Sequence, residues 1–168
     1  PSALIKAMQK YQGQSTSCPC SITQKAFITA LEQCDPDIKK MQKTKTLITG
    51  ITGMVGSHLT DFLLSETNWD IYGMCRWRSP LDNISHLLHL ANSGGRLNFV
   101  TTDLNDYVSL INAVEDIKPD FVFHLAAQSY PQTSFTSPLD TLNTNILGTE
   151  SLLEALRRCP SIDPVIHI

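Results

Sequence analysis

Three glycines spaced by three, Gly50, Gly53 and Gly56, join an apolar stretch to an amphipathic one in "TLITGITGMVGSHLTDFLL", residues 46–64. Such a loop suits a phosphate. Gly50 lets the chain turn tightly out of a strand, Gly53 admits backbone close to a pyrophosphate, and Gly56 lets the next helix lie near the sheet. The helix N-terminus adds free N–H donors and the positive end of a dipole. An incidental glycine turn is the alternative, and the strand before and helix after argue against it. In an NAD site an acid about 20 residues further on holds the ribose hydroxyls. Here "CRWRSPLDN", residues 75–83, puts Arg76 and Arg78 in that place, while Asp70 stands at the wrong end of the strand. Guanidinium offers a planar fork of donors and permanent charge to a 2′-phosphate, so NADP is favoured over NAD. Trp77 or Arg76 is placed to stack on adenine. A pair of solvated loop arginines is the alternative.

Other chemistry-bearing residues form no site. His124, inside the apolar run "FVFHLAA", reads as a satisfied core residue in preference to a base. His86 and His89, three apart with no third ligand, read as a surface pair. Cys18-Pro19-Cys20 with Cys34 has three of the four ligands that zinc takes, and unpaired thiols are the better reading. The five cysteines are odd in number and scattered, which suits a reducing compartment. No metal is expected.

The elements that position the loop follow from periodicity. Strands are expected over 46–49, 71–75, 97–101, 120–125 and 164–168, and helices over 54–66, 80–92, 105–117 and 138–158. Ser79-Pro80 makes an N-cap and N1 pair for the second helix, and Lys118-Pro119 closes the third before a buried strand. Alternation of this kind predicts an α/β fold, a doubly wound, Rossmann-like parallel sheet. Residues 1–44 read instead as a helical or irregular N-terminal arm. It has a capping box from Ser21 to Gln24 and a short helical turn starting at Asp35-Pro36. Two domains are thus expected: the arm, and a dinucleotide-binding domain over 45–168.

Composition narrows the partners. Apolar residues make up 42% and charged residues 17%, as in ordinary globular proteins, and no apolar run approaches the roughly 20 residues of a membrane span. Net charge is -3, with seven lysines against three acids over 1–45 and six basic against thirteen acidic residues over 46–168. The acidic body argues against nucleic acid. A cytoplasmic location is expected. The acid-poor start of the chain leaves a mitochondrial one as the alternative.

Taken together, "TGITGMVG", "CRWRSPLDN", "TDLND", "HLAAQSY" and "NILGT" resemble the extended short-chain dehydrogenase/reductase superfamily, and within it the GDP-mannose 4,6-dehydratase group of sugar-nucleotide dehydratases. The resemblance covers about residues 45–168, the N-terminal half of that pattern. It implies cofactor contacts from Gly50, Thr52, Gly53, Met54, Val55, Gly56, Arg76 and Arg78. It further implies that Asp103 and Leu104 flank the adenine, that Leu125, Ala126 and Ala127 line the groove near the nicotinamide ribose, and that Gln128 and Ser129 face the sugar pocket. Asn145 would support the sheet from its helix. Small side chains at Ala126 and Ala127 also make sense for a flat ligand lying on strand ends. Asp103 has a second reading, as a helix cap.

The family's catalytic pair is a YxxxK motif, in which lysine lowers the tyrosine pKa, aided by Ser or Thr and, in dehydratases, a Glu. None of the four tyrosines fits: Tyr11, Tyr72, Tyr107 and Tyr130 are followed four places on by Ser15, Arg76, Ile111 and Ser134. No catalytic residue is therefore assigned. The resemblance places the catalytic groups beyond a fifth strand at "DPVIHI". The expectation is an NADP(H)-binding portion of a sugar-nucleotide 4,6-dehydratase, a lyase, not catalytic alone. Its ligands would be a dinucleotide and a sugar nucleotide, with a complementing chain or a second copy covering exposed sheet. The alternative is a non-catalytic accessory subunit that holds a nucleotide in a large assembly such as a mitochondrial respiratory complex.

Overall fold

The run after Thr44 becomes β1 (Lys45–Thr49), and Thr46, Leu47, Ile48 and Thr49 are all fully buried, as befits a strand covered on both faces. The computed structural model describes residues 44–91 and 94–168. The helical or irregular arm expected over 1–44, with the capping box and turn expected at Ser21–Gln24 and Asp35-Pro36 and the thiols of Cys18, Cys20 and Cys34, falls outside the described residues up to position 43.

The remaining elements are α1 (Met54–Glu66), β2 (Asp70–Cys75), a 3-10 helix (Asp82–Leu90), β3 (Leu97–Thr101), α2 (Tyr107–Ile117) and β4 (Phe121–His124). They continue with α3 (Pro131–Thr136), α4 (Pro138–Leu142), a π-helical segment (Asn143–Leu147), α5 (Gly148–Arg158) and β5 (Val165–His167). All strand pairs are parallel and the order is β3-β2-β1-β4-β5. This is the expected doubly wound, Rossmann-like sheet, and its order reverses between β1 and β4. Thr49 sits level with Met74 on β2 and with His124 on β4, so the strand exits share one edge.

Alternation along β1 divides the core. Leu47 faces a cluster with Met74, Leu110, Val114, Val122, Leu152 and Leu156, beneath α2 and α5. Ile48 faces the other side with Ile51, Leu63, Trp69, Ile71, Ile84, Leu87 and Leu97, beneath α1 and the 3-10 helix. Each such leucine or isoleucine contributes about 1.5–3 kcal/mol by leaving water. At the sheet's margin, β5 stays exposed along its length and presents Val165 and Ile166.

Three local expectations need correction. The α-helix expected over 80–92 is a 3-10 helix starting at Asp82, with Leu81 at its N-cap. Its buried residues, Ile84 and Leu87, are three apart, which matches the three-residue repeat of that helix. Ser79-Pro80 accordingly lies in the preceding loop, where Ser79 N–H donates to Arg76 O. The cap of α2 is Asp106, whose carboxylate accepts from Val108 and Ser109 N–H, and the helix begins two residues later than expected. Asp103 is not that cap; its Oδ1 accepts from Asn105 N–H at 3.0 Å. Finally, the run over 138–158 is helical throughout but passes through a π turn, with α-type dihedrals at Leu142, Asn143, Leu147 and Gly148.

Candidate functional site

Gly50 takes a φ of 74°, and a Cβ placed there would stand 2.8 Å from Ala126 N and 2.9 Å from Ala126 Cα. The glycine therefore serves a close approach of the β1 exit to the β4 exit, in addition to the turn read from the spacing. At Gly56 a Cβ would collide with the Gly50 carbonyl oxygen and lie 2.8 Å from Ile51 Cα, so α1 begins pressed on its own loop. Gly53 differs. Its φ is −76°, and a Cβ there would meet only Gly50 O, at 3.2 Å. The fold makes little use of that missing side chain, and the cleared space faces outward, since Gly53 is exposed.

Gly53 is the N-cap of α1, and the first turn has no side-chain cap and no acid. Met54 and Val55, in that turn, are 55% and 58% exposed. The loop is braced from the 3-10 helix, where Asn83 Nδ2 donates to Thr52 O at 2.9 Å.

At the β2 and β3 exits, Arg76, Trp77, Thr101, Thr102, Asp103, Asp106 and Ser109 line a cleft of about 200 Å³. Arg76 and Asp103, both singled out in the sequence, thus line one cleft, and Trp77 joins them. The Arg78 guanidinium lies 4.6 Å from the centre of the Trp77 ring, a cation–π contact on an exposed indole. Asp70 opens β2, at the opposite end from this cleft. Leu104 is 7% exposed and its side chain belongs to the core, where it blocks any side chain at Gly148. Cys75, between these groups, has its thiol pushed up by burial.

Beyond β4, Leu125 and Ala126 pack against the two core clusters, Ala127 and Ser129 are exposed, and Gln128 is half-buried. Asn145 holds this segment from the π turn: Gln128 N–H donates to its Oδ1 at 2.7 Å and its Nδ2 donates to Gln128 O at 3.0 Å. It supports the loop after β4, not the sheet itself. His124 is buried with both ring nitrogens bonded, to Thr49 Oγ1 at 2.7 Å and Thr149 Oγ1 at 2.9 Å, and burial pushes its pKa down. It is a core residue. His86 pairs with Asp61 at 2.9 Å, and the described residues contain no cluster fit for a metal.

Thr49, Asn83, Thr149 and Trp77 were missed as members of this site or given a lesser part. Only Trp77 carried a signal, its place between two arginines. The larger hollow, about 460 Å³, runs along α5 from Asn145 to Arg157 and includes no glycine-loop residue. No helix among the described residues is long and apolar enough to cross a membrane.

A family model described as GDP-mannose 4,6 dehydratase matches residues 47–167. The GDP-mannose 4,6-dehydratase of Vibrio cholerae is 38% identical over 120 residues, 68% of this chain and 32% of that one. The UDP-glucose 4-epimerase of Thermotoga maritima, solved with UDP-glucose, is similar with a TM-score of 0.59 and 25% identity, over 70% of this chain and 35% of that one. The UDP-glucose 4-epimerase of Thermus thermophilus, solved as a complex with NAD, gives 0.58 and 27%, over 69% and 34%. The chain spans about a third of the length of the curated relatives it matches.

Proposed function

The chain belongs to the GDP-mannose 4,6-dehydratase family, and from that premise we propose that residues 45–168 form the NADP(H)-holding portion of a sugar-nucleotide 4,6-dehydratase. The observation that carries the reading is the open backbone at Gly53, set at the uncapped start of α1 beside the point where strand order reverses. Ligands of doubly wound sheets lie in that crevice. The fold makes little use of the space, which supports leaving it to a pyrophosphate.

In this reading the N–H groups of Met54 and Val55 and the α1 dipole hold the pyrophosphate. Asn83 fixes the loop through Thr52. Arg76 and Arg78 take the 2′-phosphate. Asp103 and the backbone of Leu104 border the adenine, and Trp77 covers it. Leu125, Ala126 and Ala127 give the nicotinamide half a low floor, and Asn145 keeps Gln128 and Ser129 turned to the sugar. Bound NADP supplies a hydride acceptor and donor for dehydration of the sugar, and this chain's share is to bind and orient. Proton transfer is left to the tyrosine, lysine and glutamate of the family pattern, which these residues do not include. No specific observation favours the accessory-subunit reading.

The test is paired titration of the chain with NADPH and NADH. Wild type is expected to prefer NADPH. Arg76→Ala removes one charge-assisted contact, worth about 1.5–3 kcal/mol, so NADPH affinity should fall by roughly ten- to a hundredfold while NADH changes little. Equal losses for both, or none, would refute the 2′-phosphate assignment.

A further inference from the structure

His124 lies beneath the groove, and counting donors and acceptors around it decides which ring nitrogen carries the proton. The buried hydroxyl of Thr49 accepts from the backbone N–H of Ala126 at 3.2 Å and shares the N–H of Leu125 with its own backbone carbonyl, each again at 3.2 Å. A hydroxyl has two lone pairs and one hydrogen. On the far side of the ring the Thr149 hydrogen is committed to the Asn145 carbonyl, so Thr149 Oγ1 can only accept from Nε2, and the Thr49 hydroxyl is left to donate its hydrogen to His124 Nδ1, at 2.7 Å. Nδ1 is then an acceptor, the neutral ring carries its hydrogen on Nε2, and Nε2–H donates to Thr149 Oγ1 at 2.9 Å. Thr149 donates its own hydrogen to Asn145 O at 2.8 Å. Every link runs the same way.

We infer that His124 is a positioning residue of the dinucleotide groove, locked as its Nε2–H tautomer in a one-way chain of hydrogen bonds that ties the β1 exit, the β4 exit and the π turn into one unit. The inference rests on the proposed reading of the groove. The residues it joins are those that border the groove: Thr49 precedes Gly50, Leu125 and Ala126 are held directly, and Asn145 carries the clamp on Gln128. The opposite tautomer would point Nδ1–H at the Thr49 hydroxyl and leave that hydroxyl's own hydrogen without this acceptor. It would also turn a bare Nε2 toward Thr149, whose hydrogen is already given to Asn145. A partly broken chain of buried polar groups is costlier than none, which is why the histidine cannot be exchanged for a residue of similar size without loss.

Long-range 1H–15N correlation spectra of the 15N-labelled chain read the tautomer directly, with and without NADPH. For His124 they should show a bare Nδ1 and a protonated Nε2. A protonated Nδ1 overturns the inference whether or not NADPH binds. Two substitutions then test the positioning role. Thr149→Val removes the acceptor and should weaken NADPH about fivefold, the worth of roughly one net hydrogen bond. It should also let the Nδ1–H tautomer appear. Thr149→Ser keeps the acceptor and should retain wild-type affinity and tautomer. Equal NADPH affinity in wild type and both variants overturns the positioning role. A wild-type chain with the expected tautomer but no NADPH affinity refutes the groove reading, and with it the positioning role, while the hydrogen-bond chain itself stands.

Discussion

Replacing Gly53 by alanine separates what the loop owes to folding from what it owes to a ligand. With φ at −76° the position accepts any residue, and the new Cβ meets only Gly50 O, at 3.2 Å. A shift of a few tenths of an ångström and the loss of glycine at a helix N-cap together cost about 1 kcal/mol. Gly50→Ala is different, because φ is 74° and Ala126 backbone stands at 2.8 and 2.9 Å. Left-handed strain of about 1–2 kcal/mol and overpacking of about 1–3 kcal/mol bring the cost to roughly 2–5 kcal/mol. Thermal melts and NADPH titrations of the two variants make the comparison. Gly50→Ala should melt about 8–20 °C below wild type, at roughly 4 °C per kcal/mol, and Gly53→Ala within about 4 °C. Gly53→Ala should nevertheless bind NADPH at least about tenfold more weakly, because its methyl occupies the space where backbone meets pyrophosphate. Wild-type affinity in Gly53→Ala would remove the loop as the phosphate site. A Gly50→Ala protein as stable as wild type would refute the close approach of the two strand exits.

Asp106→Ala should cost about 1 kcal/mol through loss of the α2 cap, as denaturant unfolding would show; wild-type stability would mean that the carboxylate does not cap the helix. Asn83→Ala frees the Thr52 carbonyl and should weaken NADPH by about threefold to tenfold with little change in melting, since the lost bond is exposed. Unaltered affinity would mean the brace is idle. For pH, burial lowers the His124 pKa, so below about 6.5 the unfolded chain binds the proton that the folded one refuses. This contribution is therefore complete above about pH 6.5 and falls away as pH drops toward the lowered value, which urea midpoints at pH 7.5 and 5.5 would reveal. Glu154, held at about 2 by hydrogen bonds from Arg157 and Arg158, stays ionised throughout and does not blur the slope. A flat profile would refute the buried neutral ring.

The strands, the first helix, the glycine loop and the arginines after β2 were legible in the residues because their signals are local. β1 is buried on both faces, β4 alternates half-buried phenylalanines with buried residues in an apolar run, α1 follows its glycines directly, and Arg76 and Arg78 follow β2 at the spacing where an NAD site carries its acid. Other features were decided by neighbours distant in sequence. The segment after Pro80 packs through Ile84 and Leu87 and tightens to a 3-10 helix. Asn145 needs Gln128 across 17 residues, and a π turn in an otherwise regular helix is where it meets it. Leu104 turned into the core because Gly148 leaves room for it. The short helix α3 was not expected, although Pro131 at its first position is a recognised start.

By itself, then, the sequence determined the order of elements, the parallel sheet, the place of the glycine loop and the charge that follows the second strand, all properties of hydrophobic period and residue spacing along one stretch of chain. Only the tertiary structure decided why Gly50 must be glycine, that Gly53 is exposed with open space beside its α-carbon, and that Thr49 and Thr149 bond the two ring nitrogens of His124. The physical reason is that these depend on the separation of β1 from β4. The two strands lie about 75 residues apart in the chain, and only the packed sheet brings them within 3 Å.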